Sequence, residues 1–145
     1  MISGPKIATI FVLALAGCGG GDPGMPTVAG RWYTPAQVEA GQSLYTAHCA
    51  VCHASDGSAT AHWRTPDAEG HYPPPPLNGS AHGWHHSRKQ LDFTIQKGGV
   101  PFGGMMPAFA HLLDGQERLS IIAYFQTWWP DQIYGEWRQI DARSR

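Results

Sequence analysis

The chain has 145 residues, a net charge of −1 and only 14% charged residues, with 18 Gly and 12 Pro. That length holds one domain plus a tether. The charge balance excludes the basic footprint of a nucleic-acid binder, and so much Gly and Pro excludes a bundle of long regular helices. Six Trp, five Tyr and five Phe suit either an ordinary core or a small domain built around a large flat apolar cofactor.

The N-terminus reads as an address. Lys6 supplies a positive start, and residues 7–16 are an apolar run broken only by Thr. That run has signal-peptide length and is too short to span a bilayer. It ends in Leu15-Ala16-Gly17-Cys18, which resembles the lipobox of bacterial lipoproteins. The resemblance implies removal of residues 1–17 and lipidation of Cys18, which becomes the new N-terminus. The plainer alternative is a secretory signal with a stray Cys. Acyl chains contribute about 0.8 kcal/mol per buried methylene, so several of them anchor durably. Lipidation also accounts for the odd thiol among three cysteines. Gly19 follows Cys18, and no Asp stands there to favour the inner membrane. Inner and outer membrane stay equally open. Residues 18–34 then form the lipidated Cys and a Gly/Pro-rich tether, with an average reach on the order of 20 Å.

The folded domain is expected over residues 35–140. Thr34-Pro35 predicts a helix start, Thr as N-cap and Pro at the first helical position. Val38, Gly41, Leu44, Tyr45 and His48 share one face of that helix. The helix runs into Cys49-Ala50-Val51-Cys52-His53, a C-x-x-C-H pentapeptide. This spacing is the attachment signature of haem c. Two thiols one helical turn apart add across the two porphyrin vinyl groups, and the imidazole that follows becomes an axial ligand of the iron. A zinc ribbon would need a second Cys pair, which the chain lacks. A redox dithiol would need no His after the second Cys.

Residues 54–83 lose periodicity and include Pro73-Pro74-Pro75-Pro76. A loop this long is expected only if it wraps something other than chain. A proline carbonyl near its end can accept from the Nδ1–H of His53, fixing the ring and leaving Nε2 for iron. A polyproline spacer without that contact is the alternative. Ser87-Arg88-Lys89-Gln90 predicts a capped helix carrying Leu91, Thr94 and Ile95, stopped by Gly98-Gly99. The next loop holds Met105 and Met106. A thioether is a soft neutral ligand that raises the haem potential. Met106 is preferred because Pro107 restricts its backbone to extended conformations. Met105 is the alternative ligand, and gap-filling core the alternative role for both. Asp114-Gly115-Gln116-Glu117 caps a further helix that is apolar nearly all round, broken at Trp129-Pro130. A last short helix is expected over residues 131–140, with Ile133, Trp137 and Ile140 inward, and residues 141–145 frayed.

In this order the pieces resemble a class I c-type cytochrome over about residues 35–129. Gly41 and Tyr45 match the N-terminal helix of that family, and Ile122-Ala123-Tyr124-Phe125 its C-terminal helix. Pro75-Pro76-Leu77-Asn78-Gly79 is similar to its proline loop, and Met106-Pro107-x-Phe109 to its axial-Met loop. The resemblance implies a mainly α cytochrome c fold, with N- and C-terminal helices crossing and long loops wrapping one covalent haem. It points to Pro75 as the carbonyl partner of His53 and implies that the chain without haem folds poorly. The loop over residues 54–72 is longer and richer in His than the family pattern.

The function expected from these residues is single-electron transfer between redox proteins, by a carrier rather than an enzyme, outside the cytoplasm and anchored through Cys18. Cys49, Cys52, His53 and Met106 would hold the cofactor, with Trp84 donating to a propionate. No nucleic acid and no small-molecule substrate are implied. One rival is a ligand sensor or small enzyme with an open sixth site. A second is accessory copper bound by His82, His85 and His86 with His62 and His71.

Overall fold

The computed structural model describes residues 27–144. The lipobox at Cys18 and the signal segment lie outside the described residues. The described chain is mainly helical: α1 Pro35–His48, α2 Ala50–His53, α3 Arg88–Lys97, α4 Gly115–Gln126 and α5 Asp131–Arg143, with 3-10 turns at His82–His85 and Val100–Phe102. Among the described residues there is no strand, only an isolated parallel bridge between Tyr72 and Gly104. No described helix is long and apolar enough to cross a membrane.

The fold turns on α1 crossing α4. Thr34 and Gln37 close a capping box at the start of α1, with Pro35 in the first turn. Gly41 sits where the helices touch: a Cβ there would overlap the Ser120 carbonyl and approach Tyr124 Cβ to 2.9 Å. Backbone thus meets backbone, and the aromatic rings close around the crossing. Tyr45 packs on Tyr124 at 5.5 Å between ring centroids and on Trp128 at 5.2 Å, edge to face. At its own start α4 carries a full capping box, Asp114 with Glu117. It buries residues all round, including Arg118, Ser120 and Gln126. The buried Arg118 is matched by Asp92 of α3 at 2.7 Å and by the Leu113 carbonyl, so its charge is paired where it is desolvated.

Two boundaries and one cap differ from the sequence reading. The tether was expected to run through Tyr33, yet Tyr33 is 1% exposed. Residues 28–33 form a turn, Val28 N–H to the Tyr33 carbonyl at 2.8 Å, docked on the core by their aromatic rings. The last helix runs past residue 140 to Arg143. Residue 141, expected in a frayed end, is a buried Asp that accepts from the Arg88 N–H at 2.8 Å. The buried residues of α5 are Tyr134, Trp137 and Asp141, with Ile133 and Ile140 only half-buried. At the head of α3, Ser87 accepts from the Gln90 N–H, but the reciprocal half of the capping box is absent.

Candidate haem site

α1 ends at Cys49, and the chain turns directly into α2, so the C-x-x-C-H segment is one further helical turn. Cys52 N–H and His53 N–H both bond the Cys49 carbonyl, at 3.1 and 2.9 Å. Both thiols are free; Cys49 is buried and Cys52 exposed. Burial, with Cys52 beside it, pushes the Cys49 thiol up to about 11, so it is protonated at neutral pH. His53 is 7% exposed. Its Nδ1 lies 2.9 Å from the Pro75 carbonyl. Burial lowers the affinity of this ring for a proton, partly offset by the bond to Pro75. The imidazole is therefore neutral, with Nδ1–H donated to Pro75 and Nε2 left free to ligate. The Tyr45 hydroxyl donates to the Ala54 carbonyl at 2.8 Å, tying the residue after the motif back to α1.

The long loop is held from outside as well as from its ends. Leu77 N–H bonds the Gly57 carbonyl at 2.7 Å, and the Trp129 indole donates to the Leu77 carbonyl at 2.8 Å. The Trp129 anchor was missed in the sequence, where Trp129-Pro130 was read only as the break of α4, which ends at Gln126, and periodicity says nothing about where its N–H points. At the far edge, Tyr72 N–H bonds the Gly103 carbonyl at 3.0 Å. This bond joins the first loop to the Met loop.

The Met loop is fixed to the end of α3. Gly98 has φ +80, and a Cβ on it would lie 2.6 Å from the Met106 carbonyl. Gly99 N–H bonds that same carbonyl at 2.9 Å, and Phe109 N–H bonds the Ile95 carbonyl. The loop is thus latched on both sides of Met106. Met106 is half-buried and packs on the core, whereas Met105 is 59% exposed. Tyr72, Val100 and Phe102, on the same two loops, also stay exposed.

These residues fit haem c. A buried neutral imidazole with one nitrogen free, two reduced thiols a helical turn apart, an inward thioether and exposed apolar side chains on the flanking loops are its donor set and its lining. A family model described as cytochrome c oxidase, cbb3-type, subunit III matches residues 36–125. The chain belongs to this cytochrome c family. Neither a curated protein nor a solved structure matches the chain. As a cytochrome c domain it has the cytochrome c fold, carries haem c and works by electron transfer with redox protein partners.

The remaining candidates of the cytochrome fall around the 3-10 turn His82–His85. Trp84 is half-buried against the core, with the exposed His85 ring edge-on at 3.8 Å. His82 stacks on Trp63 at 4.8 Å and meets His86 edge-on at 5.4 Å, and its Nδ1 is buried without a partner. Arg64 lies over the far indole, 4.5 Å from the Trp63 ring centroid. His62 and His71 are exposed, and His71 pairs with Asp67 at 3.8 Å. Among the described residues no group of three or more His, Cys, Asp or Glu forms a metal-holding set. Of the five histidines, only His86 stands beside His82, which Trp63 covers on one face; His85 lies against Trp84, and His62 and His71 are exposed.

Proposed function

We propose that this cytochrome is a class I carrier with one haem, passing single electrons between membrane-associated partners on the periplasmic side of a bacterial membrane. The observation that carries the reading is the buried His53 ring, bonded through Nδ1 to Pro75 and followed back in sequence by two free thiols. Cys49 and Cys52 would form the thioethers, His53 the proximal ligand and Met106 the distal one. When bound, the haem supplies a one-electron Fe(III)/Fe(II) couple, which His/Met ligation places at positive potential.

The chain's own residues do the rest. Pro75 holds the imidazole in one tautomer and one orientation. Gly98 leaves room for the carbonyl of Met106 and the Gly99 N–H bonds it, so its side chain is presented by a fixed backbone. In this reading Trp84 donates its indole N–H to a propionate. The loops, joined at Tyr72 and Gly103, keep water from the iron, and their exposed apolar side chains favour a small transient docking surface. Cys18 is the anchor in this reading, supported by the lipobox alone. The family's description favours a terminal oxidase as the partner class.

The test begins with the mass of the mature chain, which should carry one added macrocycle. The oxidised protein should show the weak Met–iron charge-transfer band, lost in Met106→Ala and retained in Met105→Ala. A band that survives Met106→Ala overturns that ligand. Rapid tight binding of CO to the reduced protein would favour an open sixth site instead.

A further inference from the structure

The segments on either side of the family match pack on each other and on the turn that carries Trp84. Residues 28–33 precede the match and α5 follows it. Arg31 pairs with Asp131 at 2.8 Å and lies 3.9 Å from the Tyr134 ring centroid. Trp32 N–H donates to the Tyr134 hydroxyl at 3.0 Å, and the Trp32 indole to Gln126 at 2.7 Å. From this base α5 reaches across to the His82–His85 turn. The Trp137 indole, buried between Trp129 and Tyr134, donates to the His86 carbonyl at 2.9 Å. Asp141 accepts from the Arg88 N–H at 2.8 Å. The two bonds pin both ends of the short step from the His82–His85 turn into α3. A 3-10 turn of this length, without a side-chain cap, does not hold its own orientation.

We propose that Trp137 and Asp141 are positioning residues for the His82–His85 turn, setting the Trp84 indole where it meets a haem propionate. The proposal rests on the reading of Trp84 given above. It assigns a role at the cofactor edge to a helix that the family match does not include. Releasing the turn withdraws a donor from the propionate. The uncompensated negative charge then favours Fe(III) and lowers the potential.

The experiment uses the full haem-loaded chain and reads midpoint potential beside thermal unfolding. Trp137→Phe keeps a buried aromatic ring and deletes the N–H together with the second ring, a packing loss that thermal unfolding reads separately; Asp141→Ala deletes the acceptor. Trp84→Phe removes the propionate donor itself. Tyr134→Phe, on the same face of α5 but with its hydroxyl bonded to Trp32 rather than to the turn, serves as the control. Trp84→Phe is expected to lower the potential, with Trp137→Phe and Asp141→Ala lowering it in the same direction by less. Tyr134→Phe is expected to lower the melting temperature alone. Wild-type potentials in Trp137→Phe and Asp141→Ala, with a shift in Trp84→Phe, would overturn the positioning role and leave the Trp84 reading standing. An unshifted Trp84→Phe overturns both. If Trp137→Phe fails to fold, Asp141→Ala decides.

Discussion

Gly41 is chosen for what it lacks. Any side chain there drives the α1 backbone off the Ser120 carbonyl, so Gly41→Ala is expected to cost about 3 kcal/mol, at the upper end of overpacking penalties. Denaturant unfolding of the haem-loaded protein measures it. The Gly was legible in the sequence through the family resemblance, which implies a Gly in the N-terminal helix at this distance before Cys49. The His82 and His86 environments were not, since ring stacking between distant loops leaves no periodic trace. Burial, then the neighbouring His86 and His85, and Arg64 lower the proton affinity of His82; burial and His85 do so for His86. Both folded-state values thus lie below the ordinary 6.5. The unfolded chain binds those protons more readily, so the contribution is fully present above that pH and is lost as pH falls below it. The melting temperature is expected to drop as the pH falls below about 6.5. The double variant His82→Gln/His86→Gln should lose part of that drop.

At the scale of the helices, start signals were the most readable feature. Thr34 with Gln37 and Asp114 with Glu117 both close reciprocal caps, and such local chemistry needs no knowledge of the fold. Asp114→Ala is expected to destabilise by about 1 kcal/mol, again by denaturant unfolding, with the spectrum unchanged. Helix ends were less readable. The end of α5 is set by Asp141 finding Arg88, a bond 53 residues away in sequence. The turn at residues 28–33 is ordered by Arg31 and Trp32 meeting α5. Composition marked that stretch as tether, and only the tertiary partners convert it into core. The Trp129 anchor belongs to the same class, a single long-range hydrogen bond on a residue between α4 and α5.

For the molecule as a whole, the cofactor-binding pentapeptide and the order of loops and helices carried the fold, because covalent haem attachment demands fixed residue types at fixed spacing. What lies between those points is largely irregular chain, and a domain of this size buries little core by itself. A Cys49→Ala/Cys52→Ala chain, unable to attach the cofactor, is expected to melt at lower temperature and less cooperatively than the loaded protein. Near-UV circular dichroism against temperature checks it. The tie between Tyr72 and the Met loop, the Tyr72 N–H to Gly103 carbonyl bond, bears on assembly. A strap buckled across the rim blocks the way in for a rigid disc. One order of biogenesis is therefore expected: the macrocycle would enter the unfastened polypeptide and be stitched at its two sulfurs before the loops close.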